Sequence, residues 1–212
     1  VFHLGAVMQS TRTCQLSQPA CAPAATLLVM GSRRFWQNAR VNTDAVTLRL
    51  ADVGDAETIA QMSRDLIESG LGWRYRTDRV RRMITRRDTS AVVACDRHGT
   101  VGFAVLQFDD DHAHLMLLAV RPSHQRQGVA RQLMQWQLHS ARVAGMVSVH
   151  LELRASNRAA LHFYRTFGFA QTLVLAGYYE QRESAIRMMC LLRAPDGQAP
   201  PDDWLLRLRR SR

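Results

Sequence analysis

Several residues in this chain are typed and spaced for chemistry. The stretch HQRQGVARQLM (124–134) sets Gly128 among glutamines and arginines, just after an apolar run that ends in Val120-Arg121-Pro122. Glycine lets the backbone come close to a ligand. A helix beginning there has unpaired N–H groups and a partial positive charge, and such a place binds phosphate groups. Arg126 and Arg131 add charge. The same pattern also suits a plain strand-to-helix turn. Glu152, within VHLELRA, is a carboxylate that can take a proton directly or through water; it also reads as a surface glutamate paired with Arg154. Tyr164 lies two helical turns after Asn157. Its phenol, with a pKa of about 10, can supply a proton, or it is a core aromatic beside Phe163 and Phe167. His112 and His114 are alternative bases or ordinary strand histidines.

Those residues need elements to hold them, and the hydrophobic periods predict the elements. VTLRLA (46–51) alternates as a strand. Asp52 opens a helix with apolar residues at 56, 59, 60, 62, 66 and 67 that ends at Gly70. RTDRVRRMITRRD reads as a second, very basic helix. Three strand-like runs follow, separated by Arg97-His98-Gly99 and by Asp109-Asp110-Asp111, which is the grammar of an antiparallel meander. Then come a helix from Gly128 to about Ala144, the strand VSVHLELRA, a helix from Asn157 to Phe167, and the strands FAQTLVLAGYY and SAIRMMCLLR. The order β-α-α-β-β-β-α-β-α-β-β predicts an α/β domain with a mixed, mostly antiparallel sheet. In the strand 147–155, alternation places Val149, Leu151 and Leu153 on one face and His150, Glu152 and Arg154 on the other.

Composition narrows the classes. All 28 basic residues are arginine, the net charge is +10, and 47% of the 212 residues are apolar, enough for a core. Such a charge favours acidic partners, but no nucleic-acid motif of known spacing accompanies it, so direct nucleic-acid binding is not expected. Cys14, Cys21, Cys95 and Cys190 form no C-x-x-C pair. That argues against a metal site or a disulfide framework and makes a reduced, cytoplasmic setting the expectation. Residues 1–45 are expected to be a disordered or mis-annotated extension. Its apolar part is too short to span a bilayer, and no membrane role is expected. Residues 46–193 are expected to form the domain, and 194–212 a Pro/Gly linker with a short basic tail.

QRQGVA fits the Q/R-x-x-G-x-G/A motif of the GNAT acyltransferases, and AVRPSHQRQGVARQLM is similar to that family's main cofactor motif over its whole length. LELRASNRAALHFYRTFGF resembles the next block, and GYYEQRESAIRMM looks like the closing hairpin of the protein N-terminal acetyltransferases. Within that branch the chain resembles bacterial enzymes that acetylate the N-terminal alanine of a small-subunit ribosomal protein. The resemblance covers about residues 46–193, with Ala130 where many members have glycine. It implies the GNAT fold, acetyl-CoA as co-substrate, and transfer of acetyl to a primary amine. The backbone of Leu118, Ala119 and Val120 would pair with the acetyl-pantetheine arm. The turn of Arg126, Gln127, Gly128, Val129, Ala130 and Arg131 would cradle the pyrophosphate. Asn157 would hydrogen-bond the arm. Glu152 matches the general base and Tyr164 the general acid, while Tyr178 and Tyr179 would grip a peptide near its N-terminus. The acceptor is thus expected to be a protein N-terminus. The alternatives are a small amine (polyamine, amino acid or antibiotic), or a non-catalytic Arg-rich binding role on the same scaffold.

Overall fold

A computed structural model describes residues 46–193; the readings of 1–45 and 194–212 lie outside the described residues. The elements are β1 (Thr47–Leu50), α1 (Ala56–Leu66), α2 (Thr77–Thr85), β2 (Thr89–Asp96), β3 (Gly99–Phe108), β4 (His112–Val120), α3 (Val129–Val143), β5 (Ser148–Arg154), α4 (Arg158–Arg165), β6 (Ala170–Tyr179) and β7 (Glu183–Leu191). This is the expected order, in an α/β arrangement. Both ends of the first helix differ: α1 stops at Leu66, short of Gly70. Asp52 caps not α1 but a short 3-10 turn, Val53–Asp55, in a reciprocal capping box with Asp55. The Asp55 carboxylate also receives two nitrogens of Arg49 at 2.6 and 2.8 Å, which ties β1 to the start of α1.

The sheet order is β1-β2-β3-β4-β5-β7-β6. β1 to β4 pair antiparallel, with short turns joining β2 to β3 and β3 to β4. β4 and β5 are parallel, because α3 carries the chain back across the sheet between them. β7 then inserts between β5 and β6. The parallel contact is brief: it pairs His112 with Ser148, Ala113 with Val149 and His114 with His150. Beyond His114 the two strands part. β5 stays paired along its length with β7, so the facing edge of β4 from Leu115 onward is left open.

β4 also changes face. Val105 pairs with Leu117 and Leu106 with Leu115, so Met116 is an extra residue, a β-bulge. Before it, Ala113 and Leu115 pack with Met134, Leu138 and Leu161 of α3 and α4. After it, Leu117 and Ala119 pack with Ile59 and Val80 of α1 and α2. Burying a leucine or isoleucine fully is worth about 1.5–3 kcal/mol. Ile59, Leu133 and Leu151 do so, and they clamp α1, α3 and β5 onto the sheet. No helix among the described residues is long and apolar enough to cross a membrane.

Candidate functional site

The parting of β4 and β5 opens a cleft of about 940 Å³. Its floor comes from both strands and includes His114, Leu118 and Glu152; Asn157 and Tyr164 of α4 close one side. The segment after α1, the start of α2 and the β6–β7 hairpin form the far walls. Of the expected site residues, Leu118, Glu152, Asn157, Tyr164, Tyr178 and Tyr179 line the cleft. Ala119 and Val120 do not: the bulge turns their side chains into the packing under α1 and α3. The turn 126–131 lies past the end of β4, outside the cleft.

At that turn Gly128 caps α3 with φ +86°, in the left-handed region that glycine enters without strain. A Cβ added there would meet nothing within 4 Å. Arg126 is also left-handed, at φ +62°. The N–H groups of Val129, Ala130 and Arg131 precede the first full helical bond, Gln132 N to Gly128 O, so they have no partner within the helix. Gln127 Nε2 folds back onto Ser123 O at 2.8 Å and Gln125 Nε2 onto Val120 O at 3.0 Å, fixing the loop. The Arg131 guanidinium lies 5.6 Å from the Phe167 ring centre.

Glu152 does not pair with Arg154. Alternation places its carboxylate on the α1/α2 face, where it is 8% exposed and held from two sides. His114 Nε2 lies 2.8 Å from Oε2, and Arg187 Nε donates to Oε1 at 2.7 Å. Burial pushes the Glu152 carboxyl up, but His114 and Arg187 together outweigh it and hold the group below the ordinary range. His114 thus lines the cleft as a partner of Glu152. His112 instead turns to Asp111 at the strand end, 3.0 Å away. Arg187 was not foreseen; its signal is an arginine that interrupts the apolar run AIRMMC, and β7 places it directly opposite Glu152.

Tyr164 is packed among aromatics and also lines the cleft. It is 8% exposed and packs edge-on against Phe163 and Phe169, while its hydroxyl side reaches the cleft. Burial, with a smaller push from Tyr179, raises its pKa far above the ordinary phenol, so it stays protonated. The Asn157 Oδ1 accepts from Ala160 N at 2.9 Å as the cap of α4, which leaves its amide nitrogen to donate elsewhere. Tyr178 and Tyr179 meet edge to face at 5.1 Å, and burial, then Tyr178, pushes Tyr179 up to about 12.

Arg154 latches the walls together. Its Nη2 donates to Ile67 O at 3.1 Å and Ser69 O at 2.7 Å, its Nη1 reaches Glu183 at 3.5 Å, and its guanidinium lies 5.6 Å from the Tyr179 ring centre. The buried Glu68 shapes the same wall by accepting from Arg74 N at 2.7 Å and Tyr75 N at 3.2 Å.

Residues 60–169 match the Acetyltransferase (GNAT) family. The chain is 38% identical over 89 residues to the [Ribosomal protein bS18]-alanine N-acetyltransferase of Escherichia coli (strain K12), a match covering 41% of this chain and 60% of that relative's length. The crystal structure of Ard1 from Thermoplasma volcanium superposes with a TM-score of 0.63 at 28% identity, covering 69% of this chain and 97% of that one. The crystal structure of Arabidopsis thaliana NAA60 in complex with acetyl-CoA shares the fold, with a TM-score of 0.61 at 17% identity, and covers 70% of this chain and 99% of that one. With a glycine-capped helix after a bulged, half-open strand and a family match across that whole region, the chain belongs to the acetyltransferase (GNAT) family.

Proposed function

We propose that this chain moves an acetyl group from acetyl-CoA to the N-terminal α-amine of a protein. The observation that supports the reading most is the shared cleft: a carboxylate–imidazole pair and a protonated phenol line one opening beside the unpaired edge of β4. The chain's residues fit acetyl-CoA. The bare N–H groups of Val129, Ala130 and Arg131, with Arg126 beside them, suit a diphosphate, and Gly128 adds no side chain to block it. The open edge at Leu118 and the spare Asn157 amide suit the amides of the pantetheine arm. The Val120 carbonyl faces the same edge but already accepts from Gln125, so Leu118 offers the freer groups, while the Ala119 backbone is turned to β3.

Acetyl-CoA supplies the acetyl group activated as a thioester. An amine attacks only when neutral, so a proton must leave it. The Glu152 carboxylate with the imidazole bonded to it forms the accepting unit. The Tyr164 phenol, kept protonated by burial, would give a proton to the departing sulfur.

The α-amine suits this unit better than a lysine side chain. Its pKa is about 7.7–8.0 against about 10.4, so a lysine costs on the order of 3–4 kcal/mol more to deprotonate at neutral pH. Tyr178 and Tyr179 stand at the cleft wall, where a peptide's first residues would enter. A peptide beginning Ala-Arg with an internal lysine is expected to be acetylated on its α-amine, as mapped by mass spectrometry. The chain contains no lysine, so self-acetylation of side-chain amines cannot confuse the result. Acetyl on the internal lysine alone would refute the α-amine reading, and turnover only with free polyamines would favour a small-molecule acceptor.

The latch makes a second prediction. Arg154→Ala frees the α1 wall from the hairpin, so the acceptor KM is expected to rise about tenfold, the equivalent of roughly 1.4 kcal/mol. Acetyl-CoA affinity, measured by calorimetry, is expected to be unchanged, because the turn at Gly128 does not touch Arg154.

A further inference from the structure

We propose that His114 Nδ1 is the atom that takes the proton from the acceptor amine, and that Glu152 is a positioning residue acting through His114. The inference rests on the acetyltransferase reading above and names the proton acceptor within it.

The first reason is the state of Glu152. Its two oxygens are engaged, one by His114 and one by Arg187, and its side chain is 8% exposed. A proton placed on Glu152 would cancel the charge that both partners are aimed at, and would leave Arg187 facing a neutral acid. Breaking one side of a half-buried charged pair is costly. A proton placed on His114 does the opposite: it adds a positive charge against a carboxylate already there.

The second reason is the tautomer. With Glu152 ionised, the 2.8 Å contact requires Nε2 to bear hydrogen and donate. Neutral imidazole then has its lone pair on Nδ1. No described residue offers Nδ1 a partner, and the His114 side chain is 29% exposed at the cleft. The carboxylate orients the ring and stabilises the cation, as the aspartate does in a serine hydrolase triad. In the step itself an N–H bond of the ammonium breaks, directly or through one water, and an Nδ1–H bond forms. The Nε2–H stays on the ring, and the proton leaves to solvent before the next turnover.

The third reason is position. His114 is the last β4 residue paired with β5 and stands where the strands part, so its ring borders the opening that an amine must enter. The groups around it are mixed in charge: His150 and Glu152 from β5, Arg187 from β7, neutral Gln107 from β3, and His112 on its own strand. Asp109 and Arg79 line the same cleft.

The test uses the full chain with acetyl-CoA and the Ala-Arg peptide. His114→Ala is expected to lower kcat by about 10²-fold or more, with acetyl-CoA affinity retained. Added imidazole is expected to restore turnover to this variant in proportion to its free-base concentration, which a merely structural role would not allow. His114→Gln can still donate to Glu152 but cannot carry the proton. It is expected to melt like wild type and to be as slow as the alanine variant. A His114→Gln variant within about threefold of wild-type kcat, beside a Glu152→Gln variant slowed about 10²-fold, would overturn the proposal while leaving the acetyltransferase reading in place. Wild-type protein that binds acetyl-CoA and acetylates no amine would overturn that reading, and the proposal with it.

Discussion

Gly128→Glu is expected to abolish acetyl-CoA binding, with no heat detected by calorimetry at concentrations that saturate the wild type. Two effects add. The residue sits at φ +86°, where a residue bearing a Cβ pays about 1–2 kcal/mol. The larger effect is electrostatic. The bare N–H groups at the start of α3 favour an anion, and a carboxylate fixed on the capping residue would take that place and repel a diphosphate. Gly128→Ala separates the two. The space around an added Cβ is open, so alanine brings strain without charge or collision, and a loss of about tenfold, or roughly 1.4 kcal/mol, is the expected limit. Unchanged affinity in the glutamate variant would remove the turn from the cofactor site.

Tyr164→Phe is expected to lower kcat by about 10²–10⁴-fold while acetyl-CoA affinity and folding persist. The ring contacts with Phe163 and Phe169 are kept by phenylalanine, and the hydroxyl has no hydrogen-bond partner among the described residues, so little packing is lost. The linkage sign gives a second readout. Burial raises the folded-state phenol pKa above its unfolded value, so its share of stability is complete below about pH 10 and is lost as pH rises beyond it. The variant is therefore expected to lose less stability than wild type between neutral pH and the alkaline range, as followed by thermal melts. A variant that keeps near-full kcat with the true acceptor would remove Tyr164 as the acid.

The local rules were legible because they depend on neighbours in the chain. Alternation in VHLELRA is enough to set Glu152 apart from Val149, Leu151 and Leu153. Glycine before an amphipathic run marks where α3 starts, and Asn157 marks where α4 starts. The meander turns were equally local. The late start of α1 shows the limit: Asp52 carries a capping signal, but which turn it caps depended on Asp55 also meeting Arg49 of β1.

What the amino-acid sequence determined by itself is thus the set of elements, their order, the face that β5 turns to the core, and the glycine-marked turn. The partners of Glu152 were decided only in three dimensions. Arg187 reaches it because β7 inserts between β5 and β6 and pairs residue for residue with β5. His114 reaches it because the parallel contact of β4 and β5 stops at that pair. The bulge at Met116 then turns the rest of β4 over. Arg154, the nearer and more obvious partner in sequence, points along the same face but is taken by the carbonyls of Ile67 and Ser69. Side-chain period is a property of one strand, whereas register and insertion order come from pairing segments far apart in the chain, where the packing of every other element chooses among many possible alignments.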